Sequence, residues 1–173
     1  CTTQSRILAS RSRYKEVVDA VAAFASGMVV GNPLDPAVTC GPMASEHHLK
    51  KVLSYIDIAN DSNARLVAGG GRPSGLDGGF FVEPTVFADV DPDSDLAQNE
   101  VFGPVLAITR FSTDEEAIAI ANNTRYGLSG YIQTKDLKRA LKVAEELVTG
   151  EVLVNGAMNL RVQRPFGGLG LSG

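Results

Sequence analysis

The feature that most constrains the fold is the regular alternation of helix and strand patterns along the 173 residues. In some stretches apolar residues recur every three or four positions, which is typical of amphipathic helices. Between them lie short, nearly continuous apolar runs, which are typical of strands buried on both faces. This order predicts an α/β fold of three α/β/α layers, in which a mostly parallel sheet lies between two layers of helices.

The individual elements follow from periodicity and from the residues that flank each stretch. We expect strands at residues 7–9, 64–68, 105–111, 128–133 and 152–155, and an extended stretch at 80–90 that Pro84 interrupts. Helices are expected at 14–28, 45–59, 93–98 (a short helical turn), 113–127 and 136–148. The strands at 105–111, 128–133 and 152–155 are expected to be central in one sheet. Because no linker or internal repeat divides the chain, residues 1–173 are expected to form a single domain.

Helix ends are predicted from local side chains. Ser10 or Ser12 is expected to cap the first helix, Ser45 the second and Thr113 the fourth, because their hydroxyls accept hydrogen bonds from free N–H groups of the first turn. Tyr126 and Gly127 are expected to close the fourth helix.

Composition and charge argue against several classes of function. The net charge is −4 and the basic residues are scattered, whereas nucleic-acid binding needs clustered Lys and Arg. No run of about 18 apolar residues is present, which predicts no membrane span. Two cysteines, Cys1 and Cys40, make neither a disulfide framework nor a zinc-binding spacing, and a cytoplasmic location is expected.

Three segments combine residues that can perform chemistry. They are Cys1 with the residues up to Arg6, the pentapeptide Glu100-Val101-Phe102-Gly103-Pro104, and Asn155 with the glycine-rich end at 165–173. A thiolate can attack a carbonyl carbon and later leave it, so cysteine suits covalent catalysis. A carboxylate can accept two hydrogen bonds at once. In this order, the three segments resemble the catalytic part of NAD(P)-dependent aldehyde dehydrogenases.

The resemblance to that family extends over essentially the whole chain, including the Gly31-Asn32-Pro33 and Glu83-Pro84-Thr85 segments. It implies that Cys1 is the nucleophile that forms a thiohemiacetal and then a thioester while an aldehyde becomes a carboxylic acid. It also implies NAD or NADP as cofactor and a small-molecule aldehyde as substrate.

The resemblance implies roles for four further residues. Glu100 would accept hydrogen bonds from the hydroxyls of the nicotinamide ribose, and Phe102 would pack beside the same part of the cofactor. Asn155 and Phe166 would form part of the substrate tunnel. Each segment also has a plainer interpretation: Cys1 as a processing boundary, 100–104 as a turn before a strand, and 165–173 as a glycine-rich loop.

No metal site is expected. His47 and His48 are adjacent on a predicted helix, so their side chains point about 100° apart and do not share an ion. We expect both to be solvated, and Cys40 to be a loop thiol.

The resemblance also implies parts of the family that lie beyond both ends of this sequence. A cofactor-binding domain with a general-base glutamate and an oxyanion-hole asparagine would precede Cys1, and an assembly strand of a homo-oligomer would follow Gly173. The 173 residues alone are therefore expected to be inactive. Two alternatives stay open: a CoA-acylating relative, in which a thiol rather than water releases the thioester, and a non-enzymatic remnant that binds a partner.

Overall fold

The computed structural model describes residues 4–156, 163 and 165–173. They form two compact units. The larger unit runs from Ser5 to Arg110, and the smaller comprises Gln4 and the described residues from Phe111 onward. The expectation that residues 1–173 form a single domain stays a prediction.

The larger unit is built on a four-stranded sheet of β1 (Arg6–Ser10), β2 (Arg65–Ala68), β3 (Thr85–Ala88) and β4 (Val105–Phe111). The strand order is β1-β4-β3-β2. β3 and β4 are parallel, whereas β2 pairs with β3 in the antiparallel direction. Its helices are α1 (Tyr14–Ser26), α2 (Glu46–Asn60) and the short α3 (Asp95–Gln98).

Helices cover both faces of this sheet. Phe87 of β3 belongs to one hydrophobic cluster with Val52 of α2. Its neighbour Val86 belongs to a second cluster, with Val18 of α1. Successive side chains of a strand point to opposite faces, so the two clusters lie on opposite sides of the sheet. Each such buried side chain contributes about 1.5–3 kcal/mol. The expected three-layer arrangement is therefore confirmed.

The smaller unit contains α4 (Asp114–Asn122), β5 (Ser129–Ile132), α5 (Leu137–Glu146) and β6 (Glu151–Val154). β5 and β6 pair in parallel, from Ser129 opposite Glu151 to Ile132 opposite Val154. The parallel direction requires a crossover between the two strands, and α5 provides it. A turn of 3₁₀ helix, Gly170–Ser172, lies near the end of the chain.

Two of the three strands predicted to be central do not lie in the four-stranded sheet. β4 is an inner strand of the four-stranded sheet, as predicted. β5 and β6, which lie in the predicted strands 128–133 and 152–155, form a two-stranded sheet and are only half-buried within the described residues. An apolar run indicates that a strand is buried, but it carries no information about which strand pairs with it.

Three helix caps were predicted and two are confirmed. Ser45 Oγ accepts from the His48 N–H at 3.1 Å, and Thr113 Oγ1 accepts from the Glu116 N–H at 3.2 Å. The cap predicted at Ser10 or Ser12 is wrong. Those two hydroxyls lie 3.3 Å apart in a hydrogen bond, and a turn of 3₁₀ helix at Arg11–Arg13 precedes α1.

The predicted end of the fourth helix is also wrong, because α4 ends at Asn122 rather than at residue 127. The Asn122 side chain binds the end of α5 and the residues that follow it. Its Nδ2 donates to the Glu146 carbonyl at 2.9 Å, and its Oδ1 accepts from the Val148 N–H at 2.9 Å. These two hydrogen bonds join the end of α4 to residues that are far from it in the sequence.

An ion pair joins α4 to α5 and predicts a pH dependence of stability. The Arg139 guanidinium hydrogen-bonds both oxygens of Asp114, which lowers the pKa of that carboxyl. Because the folded pKa is the lower one, the pair stabilises the fold above the ordinary aspartate pKa of about 4 and stops doing so as the pH falls through the lowered value.

Arg139→Ala is therefore expected to lower the free energy of unfolding near neutral pH by about 1 kcal/mol or less, as for other surface pairs. The difference from the parent protein should vanish at low pH. Urea unfolding at several pH values measures it, with the exposed Lys138→Ala as control. A loss that is independent of pH would contradict this assignment.

Candidate active site

The predicted site residues fall in different parts of the chain. Cys1 lies outside the described residues. Glu100 and Phe102 belong to the larger unit, and Asn155 and Phe166 belong to the smaller one. Each group is described within its own unit.

The segment 100–104 leads from α3 into β4 and presents two side chains to solvent. Val101 is buried in the cluster that includes Val52, which anchors the segment in the core. Glu100 and Phe102, on either side of Val101, are exposed, Phe102 at 55%. Among the described residues the Glu100 carboxylate has no hydrogen-bond partner, so both of its oxygens are available as acceptors.

The backbone of Phe102 has a φ of 62°, in the left-handed region that residues with a Cβ rarely adopt. His48 of α2 lies directly against this position. Its Nε2 is 2.6 Å from the Phe102 carbonyl oxygen, and the two ring centroids are 6.2 Å apart. Nδ1 of the same ring accepts from the Ala44 N–H at 3.4 Å, so Nε2 carries the proton and donates it to the Phe102 carbonyl.

Lys51 makes a second contact of this kind. Its Nζ donates to the Glu100 carbonyl at 2.9 Å. His48 and Lys51 are three residues apart in α2 and therefore lie on one face of the helix. The expectation that His48 is solvated is wrong, because the side chain is half-buried and bonded at both ring nitrogens. The i, i+3 spacing of a histidine and a lysine was the only sequence signal for this pair.

Gly103 completes the turn into β4, and there is no room for a side chain at this position. A Cβ at this position would lie 2.6 Å from Cγ2 of Val52, which is fully buried and stiff about χ1. The Gly103 carbonyl accepts from the Val105 N–H at 2.7 Å, and the Pro104 carbonyl accepts from the Thr85 N–H at 2.8 Å. The turn is therefore tied to both β3 and β4.

Gly103→Ala is expected to destabilise the fold by about 1–3 kcal/mol, the usual cost of inserting a methyl group into a packed core. Chemical unfolding of the variant measures the change. Gly71→Ala is the matched control, because an added Cβ there has no atom within 4 Å. Equal stability of the two variants would show that the core near Val52 yields to the methyl group.

Asn155 joins the ends of β5 and β6 in the smaller unit. Its Nδ2 donates to the Thr134 carbonyl at 2.7 Å, and its Oδ1 accepts from the Thr134 N–H at 2.9 Å. Its own N–H donates to the Ile132 carbonyl at 2.8 Å, and its φ is 51°. Phe166 is 53% exposed. The substrate contacts predicted for Asn155 and Phe166 stay predictions.

The glycine-rich end packs closely on the residues after α4. Leu171 N–H donates to the Arg125 carbonyl at 2.8 Å, and Leu169 N–H donates to the Gly127 carbonyl at 2.9 Å. Gly170 has a φ of 60°, and a Cβ on it would clash with the Arg125 carbonyl oxygen. Residues 169–171 therefore follow a path that requires glycine at this point.

Within residues 4–156, 163 and 165–173, no group of three His, Cys, Asp or Glu side chains is arranged around a common point. Cys40 is half-buried, and this burial raises the pKa of its thiol. No helix in the same residues is long and apolar enough to cross a membrane.

Comparisons with known proteins extend over the whole chain. The model of the aldehyde dehydrogenase family matches residues 1–173. Geranial dehydrogenase of Castellaniella defragrans is 48% identical over all of this chain and 36% of its own length. The mitochondrial aldehyde dehydrogenase of Sus scrofa is 42% identical over all of this chain and 33% of its own length. The chain thus spans about a third of the curated relatives that it matches.

Solved structures agree with the sequence comparisons. The crystal structure of an aldehyde dehydrogenase of Mycobacterium tuberculosis in complex with NAD+ superposes with a TM-score of 0.95 at 49% identity, over 99% of this chain and 35% of that one. A betaine aldehyde dehydrogenase of Staphylococcus aureus superposes with a TM-score of 0.95 at 37% identity, over 98% of this chain and 34% of that one. The chain belongs to the aldehyde dehydrogenase family.

Proposed function

We propose that the protein carrying this chain oxidises an aldehyde to a carboxylic acid, with NAD or NADP as the electron acceptor. The observation that carries the proposal is that Glu100 and Phe102 face outward from a segment that Val101 anchors in the core. The chain that contains this segment belongs to the aldehyde dehydrogenase family. The names of its relatives, which include a geranial dehydrogenase and a betaine aldehyde dehydrogenase, support an aldehyde substrate. The NAD+ bound to similar solved enzymes supports the cofactor.

Cys1 is proposed to supply the nucleophile. Its thiolate forms a bond to the carbonyl carbon of the aldehyde, and the π electron pair moves to the oxygen, which gives the oxyanion of a thiohemiacetal. A bound nicotinamide dinucleotide supplies the acceptor for the hydride that this carbon releases as it becomes a thioester. Water then adds to the thioester, the carbon–sulfur bond breaks, and the carboxylic acid and the Cys1 thiol are released.

The residues in the larger unit suit the cofactor. The Glu100 carboxylate is exposed and accepts hydrogen bonds only, which fits the two hydroxyls of a ribose. The exposed Phe102 ring, two residues away, offers an apolar surface beside it. We further propose that Asn155 and Phe166 border the aldehyde, and that the protein assembles as a homo-oligomer.

The test uses the full-length protein, a panel of aldehydes, and NAD+ or NADP+. Reduced cofactor and acid product are measured together, with and without coenzyme A. Formation of reduced cofactor with free acid is the expected result. If no aldehyde gives reduced cofactor although the folded protein binds NAD+, the proposed function is wrong. If turnover requires coenzyme A and yields an acyl-CoA, the hydrolytic step is wrong and the acylating alternative holds.

A further inference from the structure

Three anchors hold the segment of Glu100, Val101 and Phe102. Lys51 Nζ binds the Glu100 carbonyl, the Val101 side chain is buried, and His48 Nε2 binds the Phe102 carbonyl. Only the side chains of Glu100 and Phe102 are left to face outward. The two polar anchors come from one face of α2, and the neighbouring Val52 of this helix is fully buried in the core.

We infer that His48 and Lys51 are positioning residues, which hold this segment by its backbone carbonyls and thereby set the direction of the Glu100 carboxylate and the Phe102 ring. The inference rests on the cofactor role proposed above for Glu100 and Phe102. Neither positioning residue needs to touch the cofactor for this function.

The backbone conformation explains why the segment needs to be held. The left-handed φ of Phe102 is unfavourable for a residue with a Cβ, so an unrestrained segment would relax away from it. The bond from His48 to the Phe102 carbonyl favours the observed conformation over the relaxed one. The bond from Ala44 to Nδ1 keeps the proton on Nε2, where this donation needs it.

The α2 helix offers matched controls beside both residues. His47 is exposed and precedes His48, so His47→Ala removes the same type of side chain from another face. Lys50 is exposed, with its charge in an ion pair to Glu46, so Lys50→Ala removes the same charge as Lys51→Ala. His48→Gln is the conservative variant, because the glutamine amide keeps an N–H donor at about the reach of Nε2.

The experiment compares these variants in the full-length protein by three measurements. Hydrogen exchange of residues 99–105 is measured in the absence of cofactor. NAD+ binding is measured by calorimetry, and the single-turnover rate of hydride transfer is measured with a saturating aldehyde. His48→Ala and Lys51→Ala are expected to speed exchange in the segment, weaken NAD+ binding and slow hydride transfer by about 10-fold or more. The control variants and His48→Gln should stay close to the parent, and alkylation of Cys1 should be unchanged throughout.

The outcomes separate this inference from the proposed function. If His48→Ala and Lys51→Ala behave like their controls in exchange and in NAD+ binding, the positioning role is overturned even where Glu100→Gln impairs the enzyme. If the segment loosens and NAD+ binding does not change, the two residues are only structural, and the inference is again overturned. If Glu100→Gln has no effect on hydride transfer, the proposed role of Glu100 fails independently of His48 and Lys51.

Discussion

Cys1→Ser in the full-length protein is expected to abolish aldehyde oxidation, with a loss on the order of 10⁴-fold or more, as when other covalent nucleophiles are removed. A cysteine thiol has an ordinary pKa of about 8.5, so its thiolate is accessible near neutral pH. A serine hydroxyl remains protonated there and is a weak nucleophile without an adjacent base. Formation of reduced cofactor at saturating aldehyde and NAD+ measures the loss.

Cys40→Ser is the matched control for this variant. Burial raises the pKa of the Cys40 thiol, so a smaller fraction of it is thiolate than in an ordinary cysteine. Its Sγ lies in a loop beside the Gly41 carbonyl. This variant should turn over normally, and alkylation of Cys1 should proceed at the parent rate. Normal turnover of Cys1→Ser would show that the nucleophile assigned here is wrong.

Glu100→Gln is expected to slow hydride transfer by on the order of 10²-fold, the cost of misplacing a reacting group by about 1 Å. The amide keeps the size of the side chain, but it replaces one acceptor oxygen with an NH₂ donor, so it can no longer offer one acceptor oxygen to each of the two ribose hydroxyls. Single-turnover formation of reduced cofactor measures this step. Alkylation of Cys1 should change much less, because the proposed role of Glu100 is to hold the cofactor.

Glu145→Gln serves as the control for the loss of a negative charge, because Glu145 is an exposed carboxylate of α5. It should leave hydride transfer at the parent rate. If Glu100→Gln also leaves hydride transfer untouched, the cofactor role of Glu100 is wrong, while the role of Cys1 is unaffected.

The elements that depend on residues close together in the sequence were predicted well. The apolar run at Val105–Phe111 is β4 with the same bounds, and the hydroxyls of Ser45 and Thr113 cap α2 and α4. A cap depends on a side chain and an N–H three residues away, so both partners lie in one short stretch of the sequence. The end of α4 was missed because Asn122 binds Glu146 and Val148, which are 24 and 26 residues further along the chain.

The sequence by itself determined the alternation that makes an α/β fold, the family, and the residue types of Glu100, Phe102 and Gly103 that a site of this kind requires. The tertiary structure alone decided which strands pair, the left-handed backbone of Phe102, and the contacts that hold it. His48 and Phe102 are 54 residues apart, and Lys51 and Glu100 are 49 apart. Such contacts arise only when α2 packs into the core with Val101, and no local pattern in the sequence specifies that packing.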